Sequence, residues 1–402
     1  FNNTITDNDP LNPGLLTLSE PGTIILNGAN DYKGGTSIAN SAIVQIGSNT
    51  ALGSGAISLE GTLQAGQDAL TLDNDISLGS SSIIDNKGYT LNFSGEFSSP
   101  VEGSLNFIDS SVAQNGTTIL SGQSTFTKKL IAQSTRFTNA GTIILNNSTI
   151  LENDNPFTNT GTIKIDESSI SNKSTFINSG EITNNDRFYN FETLRLEANS
   201  KFTGTGSLNL SGSTVIFNGP GIQFNNNIAI NPDFVNSLGV TLFVADGVTQ
   251  NIDNVISSPN GSAPLTKDGL GKLILNGANT TFSGQTTLSL GALQVGHNAA
   301  LGTNSLKMLN NTTLQFGIGG LVINNPVVLD SGNSVNPGIA TIDTGNFMST
   351  LSNAITQIGN SVMKLIIQGG NILTLNGLIS HQGGSEVGAG TTFKAGISNI
   401  FA

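Results

Sequence analysis

The chain repeats one pattern three times near its middle: FTNAGTI at 137–143, FTNTGTI at 157–163 and FINSGEI at 176–182. The phenylalanines that open these copies are 20 and 19 residues apart. A repeat of that length is typical of one coil of a β-solenoid and is shorter than a propeller blade. We interpret each copy as an inward phenylalanine, a turn at Asn-x-Gly and an inward isoleucine. Asparagine and glycine would supply left-handed backbone at the corner.

Short runs that alternate apolar and polar residues occur throughout the chain. Period two with one apolar face predicts half-buried strands, and no stretch has convincing helical periodicity. The predicted fold class is all-β: an elongated, right-handed parallel β-helix of about twenty coils, at roughly 20 residues per coil. The clearest predicted strands are 16–18, 70–72, 91–93, 163–165, 194–196, 208–210 and 373–375.

A second, larger repeat relates the two ends of the chain. IILNGAN at 24–30 matches LILNGAN at 273–279, an offset of 249 residues. The same offset relates Gly35, Gly47 and ALG at 51–53 to residues 284, 296 and 300–302. An offset of 251 residues relates 63–64 and 70–72 to 314–315 and 321–323. We therefore predict three domains: an N-terminal β-helix segment at 1–100, central coils at 101–260, and a C-terminal segment at 261–402 that duplicates the first.

Composition and charge exclude several classes of function. The chain has 49 Gly, about fifty Asn and only 10% charged residues, which favours turns over a thick core. Its net charge of −12, with only 15 Lys and Arg, argues against nucleic acid as a partner. Cysteine is absent, so no disulfide or thiolate metal site is expected. No apolar run is long enough to span a bilayer, so we expect no direct membrane insertion of this segment.

The repeated ends resemble a known family. GKLILNGAN at 271–279, TTFSG at 280–284 and GALQVG at 291–296 resemble the passenger-associated repeat of bacterial autotransporters, and 22–47 is a looser copy. The resemblance implies a passenger domain exported through the outer membrane of a Gram-negative bacterium by type V secretion. Its expected location is extracellular or at the cell surface, with a translocator belonging to the complete precursor.

Candidate catalytic and metal-binding residues are few. The two histidines, His297 and His381, lie in glycine-rich stretches without a supporting motif, and we interpret them as surface turn residues. The pairs Asp7/Asp9 and Asp73/Asp75 could act on polysaccharide or bind Ca²⁺, but their surroundings favour turns. We therefore predict no catalytic residue, no cofactor-binding or metal-binding residue and no cofactor.

Three functions remain open at this stage. The favoured one is a surface-displayed passenger, not an enzyme, that acts as an adhesin or structural rod. Its partner would be a receptor or glycan on a host or neighbouring cell. The alternative is a self-assembling subunit of an extracellular fibre, which associates through end coils or lateral faces; residues 1–5 could then serve as a donor or capping strand. The third is a polysaccharide-active β-helix enzyme.

Overall fold

The computed structural model describes residues 1–9, 11–99, 103–127, 129–132, 135–232, 239–332, 337–359 and 362–398, with the backbone alone at 129–132. Within these residues the protein consists of strands and turns, with no helix. The chain forms two compact units. Unit 1 comprises residues 1–194 and 200–206, and unit 2 comprises 195–199 and 207–402. The all-β prediction is confirmed.

Unit 1 is a parallel β-solenoid whose successive strands alternate among three sheets. The first sheet contains Leu16–Leu18, Thr36–Ile38, Ile57–Leu59, Ile76–Leu78, Phe97–Ser98, Gln123–Phe126, Thr142–Leu145, Thr162–Ile165, Glu181–Asn184 and Lys201–Thr203. The second contains Gly22–Leu26, Ala42–Ile46, Thr62–Ala65, Ser81–Asp85, Ser104–Ile108, Lys129–Ala132, Ile150–Asn153, Ser169–Asn172 and Arg187–Asn190. The third contains Leu70–Leu72, Thr90–Phe93, Thr117–Leu120, Arg136–Asn139, Phe157–Asn159 and Thr175–Asn178.

Unit 2 has the same parallel architecture, and the strand Thr193–Leu196 crosses the division between the units. Its longest sheet contains Thr214–Phe217, Val240–Val244, Leu265–Asp268, Thr286–Leu288, Leu306–Met308, Val327–Asp330, Ile355–Ile358 and Ile379–Ser380. A second contains Thr249–Ile252, Lys272–Leu275, Gly291–Val295, Thr312–Phe316, Gly338–Asp343, Met363–Gln368 and Ser385–Val387. A third sheet contains Leu321–Ile323, Ser349–Leu351, Ile372–Leu375 and Thr392–Ala395. The remaining strands of unit 2 are Ser207–Leu210, Asn227–Ile230 and Ile256–Ser257, which share a sheet, and Gln223–Phe224.

Coil length varies more than the sequence repeat indicated. Thr118 pairs with Phe137, 19 residues later, whereas Leu314 pairs with Ile342, 28 residues later. The strands form about 17 turns rather than the predicted twenty or so. The estimate was too high because it applied the short central repeat to coils that carry longer turns. The right-handed crossover stays a prediction, and it is the hand that parallel connections nearly always adopt.

Phenylalanine fills the interior of unit 1, as the repeat predicted. Phe137, Phe157 and Phe176 are at most 1% exposed. Their ring centroids are 4.9 and 4.6 Å apart, and the second pair is parallel to within 9°. This spacing equals the separation of hydrogen-bonded strands, so each ring stacks on its copy in the next coil. Ile143, which closes the first copy, is fully buried as well.

The asparagines of the repeat are buried, not exposed. The Nδ2 of Asn139 donates to Oδ1 of Asn159 at 2.7 Å, and Asn159 donates to Asn178 at the same distance. Each of these residues is 0% exposed. Their amides also donate to backbone carbonyls of the next coil, such as Thr162 O at 3.0 Å from Asn139. A parallel ladder joins Asn153, Asn172 and Asn190 in the second sheet.

The glycines of the repeat are required by close packing, and the expectation of left-handed backbone there was wrong. Gly141, Gly161 and Gly180 do not have positive φ. A Cβ on Gly161 would lie 2.0 Å from the carbonyl oxygen of Gly141, and one on Gly180 would lie 2.1 Å from that of Gly161. The coils stack so tightly at this corner that a side chain would collide with the backbone of the preceding coil.

The two repeated ends make matching contacts, each within its own unit. Asn30 Nδ2 donates to the carbonyl oxygen of Ala51 at 2.6 Å, and Asn279 donates to that of Ala300 at 2.6 Å. One coil later, Gln64 Nε2 donates to Asp85, and Gln315 donates in the same way to Asp343. The acceptors Asp85 and Asp343 lie beyond the stretch that sequence offsets matched, so the structural correspondence is longer than the detectable repeat.

Replacing Asn159 with leucine tests the asparagine ladder. The change leaves the Asn139 amide and the Asn178 carbonyl oxygen without a side-chain partner in the interior, where each unsatisfied group is costly. We expect the free energy of unfolding to fall by about 2–4 kcal/mol. Thermal and urea unfolding followed by circular dichroism measures it. Thr158→Val, on the outward face of the same strand, is the control and should change stability by less than about 0.5 kcal/mol.

Candidate functional site

Both histidines make hydrogen bonds with other groups of the fold. His297 is exposed, and its Nδ1 accepts the backbone N–H of Ala299 at 3.0 Å. In His381, Nδ1 lies 2.8 Å from the carbonyl oxygen of Met363 and Nε2 lies 3.0 Å from Oγ of Ser385. The serine contact was not foreseen from sequence. Because the strand that carries Ser385 is exposed at every position, this pair lacks the enclosed surroundings that activate a nucleophile.

Asp7 and Asp9 accept hydrogen bonds from nearby groups of the chain. Asp7 accepts the backbone N–H groups of Gly14 and Lys33, at 2.6 and 2.9 Å. Asp9 accepts from Asn12 and Leu11, and the bond from Asn12 is the main reason that the pKa of Asp9 is lowered.

Asp73 and Asp75 join successive coils. Asp73 bonds the hydroxyl of Ser94, and Asp75 accepts the N–H of Glu96 at 2.9 Å. Among the described residues, no three His, Asp or Glu side chains come together as metal ligands would.

The first five residues lie against the same chain. The N–H of Asn27 donates to Phe1 O at 2.9 Å, and that of Asp31 donates to Ile5 O at 3.2 Å. Ile5 N–H in turn donates to Asn30 Oδ1 at 2.8 Å. Residues 1–5 therefore bond residues 25–31 of their own chain, and their use as a donor strand for a second molecule stays a prediction.

No helix capable of crossing a membrane occurs in the described parts of the chain.

Lys267 is the one buried lysine that the structure describes, and sequence reasoning missed it. It is 1% exposed, and Nζ donates to the carbonyl oxygens of Gly269, Gly271 and Leu290 at 2.5, 2.6 and 2.9 Å. Burial lowers the pKa of Lys267 to about 8, against a smaller opposing effect of Asp268. Its place in the N-terminal copy, at the offset of 249, is taken by Leu18. The ammonium group thus ties glycine-rich turns together inside unit 2.

Lys267 should make stability depend on alkaline pH. Its folded-state pKa near 8 lies below the ordinary 10.5, so the unfolded chain binds the proton more tightly. The free energy of unfolding should therefore rise between about pH 8 and 10.5, by at most about 3 kcal/mol because the three carbonyls favour the charged form. Urea unfolding across this range measures the rise. It should vanish in Lys267→Met and persist in Lys272→Met, a partly exposed lysine nearby.

A recessed surface lies at one corner of unit 1, where first-sheet strands turn into second-sheet strands. Three successive coils shorten this turn from four residues (146–149) to three (166–168) and then two (185–186). The strands on both sides stay in register, Ile150 with Ser169 and Ser169 with Arg187. The lost residues therefore leave a step in the surface. We call this surface, lined by 146–150, 166–169, 185–187 and Tyr189, the corner groove.

The corner groove consists of two adjoining recesses of about 400 and 450 Å³ that share Glu167. Its lining carries three carboxylates, on Asp166, Glu167 and Asp186, and one guanidinium, on Arg187. The rest of the lining is mostly hydroxyl and amide groups. Left-handed backbone at Asn147, Ser148 and Glu167 makes the turns tight. The groove is thus polar, concave and net negative.

An aromatic platform borders the corner groove. The rings of Tyr189 and Phe191 are parallel to within 9°, with centroids 6.4 Å apart, and Phe191 is 44% exposed. Arg187 contacts the Tyr189 hydroxyl at 3.4 Å and Asp186 at 3.4 Å. The hydrogen bond with Tyr189 is the main reason that the pKa of Arg187 is raised, and Asp186 adds a smaller effect. The guanidinium is therefore charged at any pH of interest.

Comparison with known proteins shows what the two ends of the chain are similar to. Residues 16–46 and 265–295 match the family described as passenger-associated-transport-repeat, the two segments in which the sequence resemblance was strongest. The two ends of the chain are therefore similar to the transport repeats of autotransporter passengers. The adhesin BmaC autotransporter of Brucella suis biovar 1 (strain 1330) is 32% identical over 152 residues, which cover 36% of this chain and 4% of that relative. No solved structure matches the chain.

The chain is displayed outside a Gram-negative cell or at its surface. The two matched segments begin 249 residues apart, the same offset that the sequence repeat gave. The three predicted domains at 1–100, 101–260 and 261–402 stay a prediction.

The corner groove was not foreseen, because its residues are scattered over three coils. The signal that could have found it is the shrinking spacer between aligned strands, NNST, then DES, then ND.

Proposed function

We propose that this passenger segment is a non-enzymatic adhesin that attaches the bacterium to a receptor or glycan on a host or neighbouring cell. The observation that carries the proposal is its likeness to an autotransporter whose name records an adhesin. The solenoid supports it, because parallel coils present successive polar side chains at a regular spacing over a long outward face. The candidate catalytic residues support it as well, since in the described structure they bond turns and coils to one another.

Adhesion can be measured with beads coated with the folded chain. We expect these beads to bind cultured epithelial cells or bacterial neighbours more than beads coated with heat-unfolded chain or albumin. Soluble folded chain should compete, because binding depends on surfaces that only the coiled backbone assembles. Coated beads that bind no better than albumin would contradict the adhesin proposal.

Light scattering across a concentration series separates adhesion from fibre formation. An adhesin that acts through its lateral surface should keep a constant mass while it competes for cells. Mass that grows with concentration, together with filaments under the electron microscope, would favour the fibre subunit instead. Reducing-sugar release from polysaccharide would favour the enzyme.

A further inference from the structure

We propose that the corner groove is a binding site for a neutral oligosaccharide, whose sugar rings stack on Tyr189 while its hydroxyl groups bond Glu167 and Arg187. This inference rests on the proposed adhesive function and deepens it by naming a site and a ligand class. It is carried by three independent features of unit 1: the stepped recess, the aromatic platform and the charge of the lining.

The recess has the dimensions of a short glycan. The three turns that form it are one coil apart, about 4.8 Å each, so the groove runs across roughly 10 Å of the surface. Its two parts, of about 400 and 450 Å³, meet at Glu167. A volume of this size suits a ligand of two or three sugar rings rather than a folded protein partner.

The side chains supply both kinds of contact that sugars need. A pyranose presents a face of C–H groups, which packs on an aromatic ring, and an edge of hydroxyls, which donate and accept hydrogen bonds. Tyr189 offers a ring beside the recess, held by its parallel contact with Phe191. Glu167 accepts from hydroxyls and Arg187 donates to them, and charge-assisted bonds of this kind are about twice as strong as neutral ones.

The charge of the lining selects among glycans. Three carboxylates against one guanidinium leave the groove net negative, and the chain carries −12 overall. A sialylated or sulfated sugar would meet repulsion that it must overcome on entry. A neutral hexose or N-acetylhexosamine chain meets none. The geometry therefore points to neutral sugars.

An array of neutral oligosaccharides built from galactose and N-acetylglucosamine, with sialylated and sulfated counterparts, tests the proposal on the purified 402-residue chain. We expect binding to neutral members. Tyr189→Ala should weaken it roughly tenfold or more, since it removes the stacking face. Its matched control is Tyr89→Ala, an outward tyrosine of the same unit that lies away from the groove and is 37% exposed.

A second variant covers the possibility that Tyr189→Ala alters the fold. Glu167→Gln keeps the size and the backbone conformation of this turn residue while it removes the charge. We expect a several-fold loss of affinity, with an unchanged circular dichroism melt, and no loss in Glu20→Gln, an exposed carboxylate elsewhere in unit 1.

Three results would overturn the proposal. If the Tyr189→Ala and Glu167→Gln variants bind glycan as well as their controls, the glycan site is not the corner groove. Binding confined to anionic members, lost as salt increases, would reject the ligand class. Coated beads that adhere to cells while the chain binds no glycan would reject the groove and leave the adhesin function standing. Glycan binding without bead adhesion would instead reject the adhesin function and keep the groove.

Discussion

In-register parallel pairing of one coil with the next is the constraint on which the rest of each unit depends. Once Phe157 lies beside Phe137 and Phe176, every paired strand residue lies about 4.8 Å from its counterparts in the neighbouring coils. At that distance like side chains must either stack or bond one another. Phenylalanine rings stack, asparagine amides donate to the next amide, and glycine is needed where backbones approach too closely for a Cβ.

The same constraint explains what sequence could and could not predict. Strand positions and inward phenylalanines followed from a period of two and a spacing of 19 or 20 residues, because repeats leave their mark in linear order. The buried role of Asn159 could not be predicted in this way, because asparagine is common both in buried amide ladders and in exposed turns. Lys267 was equally hidden, because its three carbonyl partners belong to turns that only the fold brings together.

The two transport repeats share a backbone arrangement but carry chemically different side chains at one strand position. Asn30 and Asn279 make the same contact, yet Leu18 stands where Lys267 binds three carbonyl oxygens. A buried ammonium needs every one of its donors matched, whereas leucine needs only apolar neighbours. The coil therefore tolerates chemically unlike residues at one position, provided that the turns beside it supply the matching partners.

Turn length at the corner of unit 1 varies without disturbing the strands on either side. Four, three and two residues connect strands that remain paired residue for residue. Insertion or deletion at this corner thus reshapes the outer surface while the asparagine ladders and the stacked rings stay in place. Selection can therefore remodel this part of the outer surface through small changes in spacer length, with no need to redesign the interior.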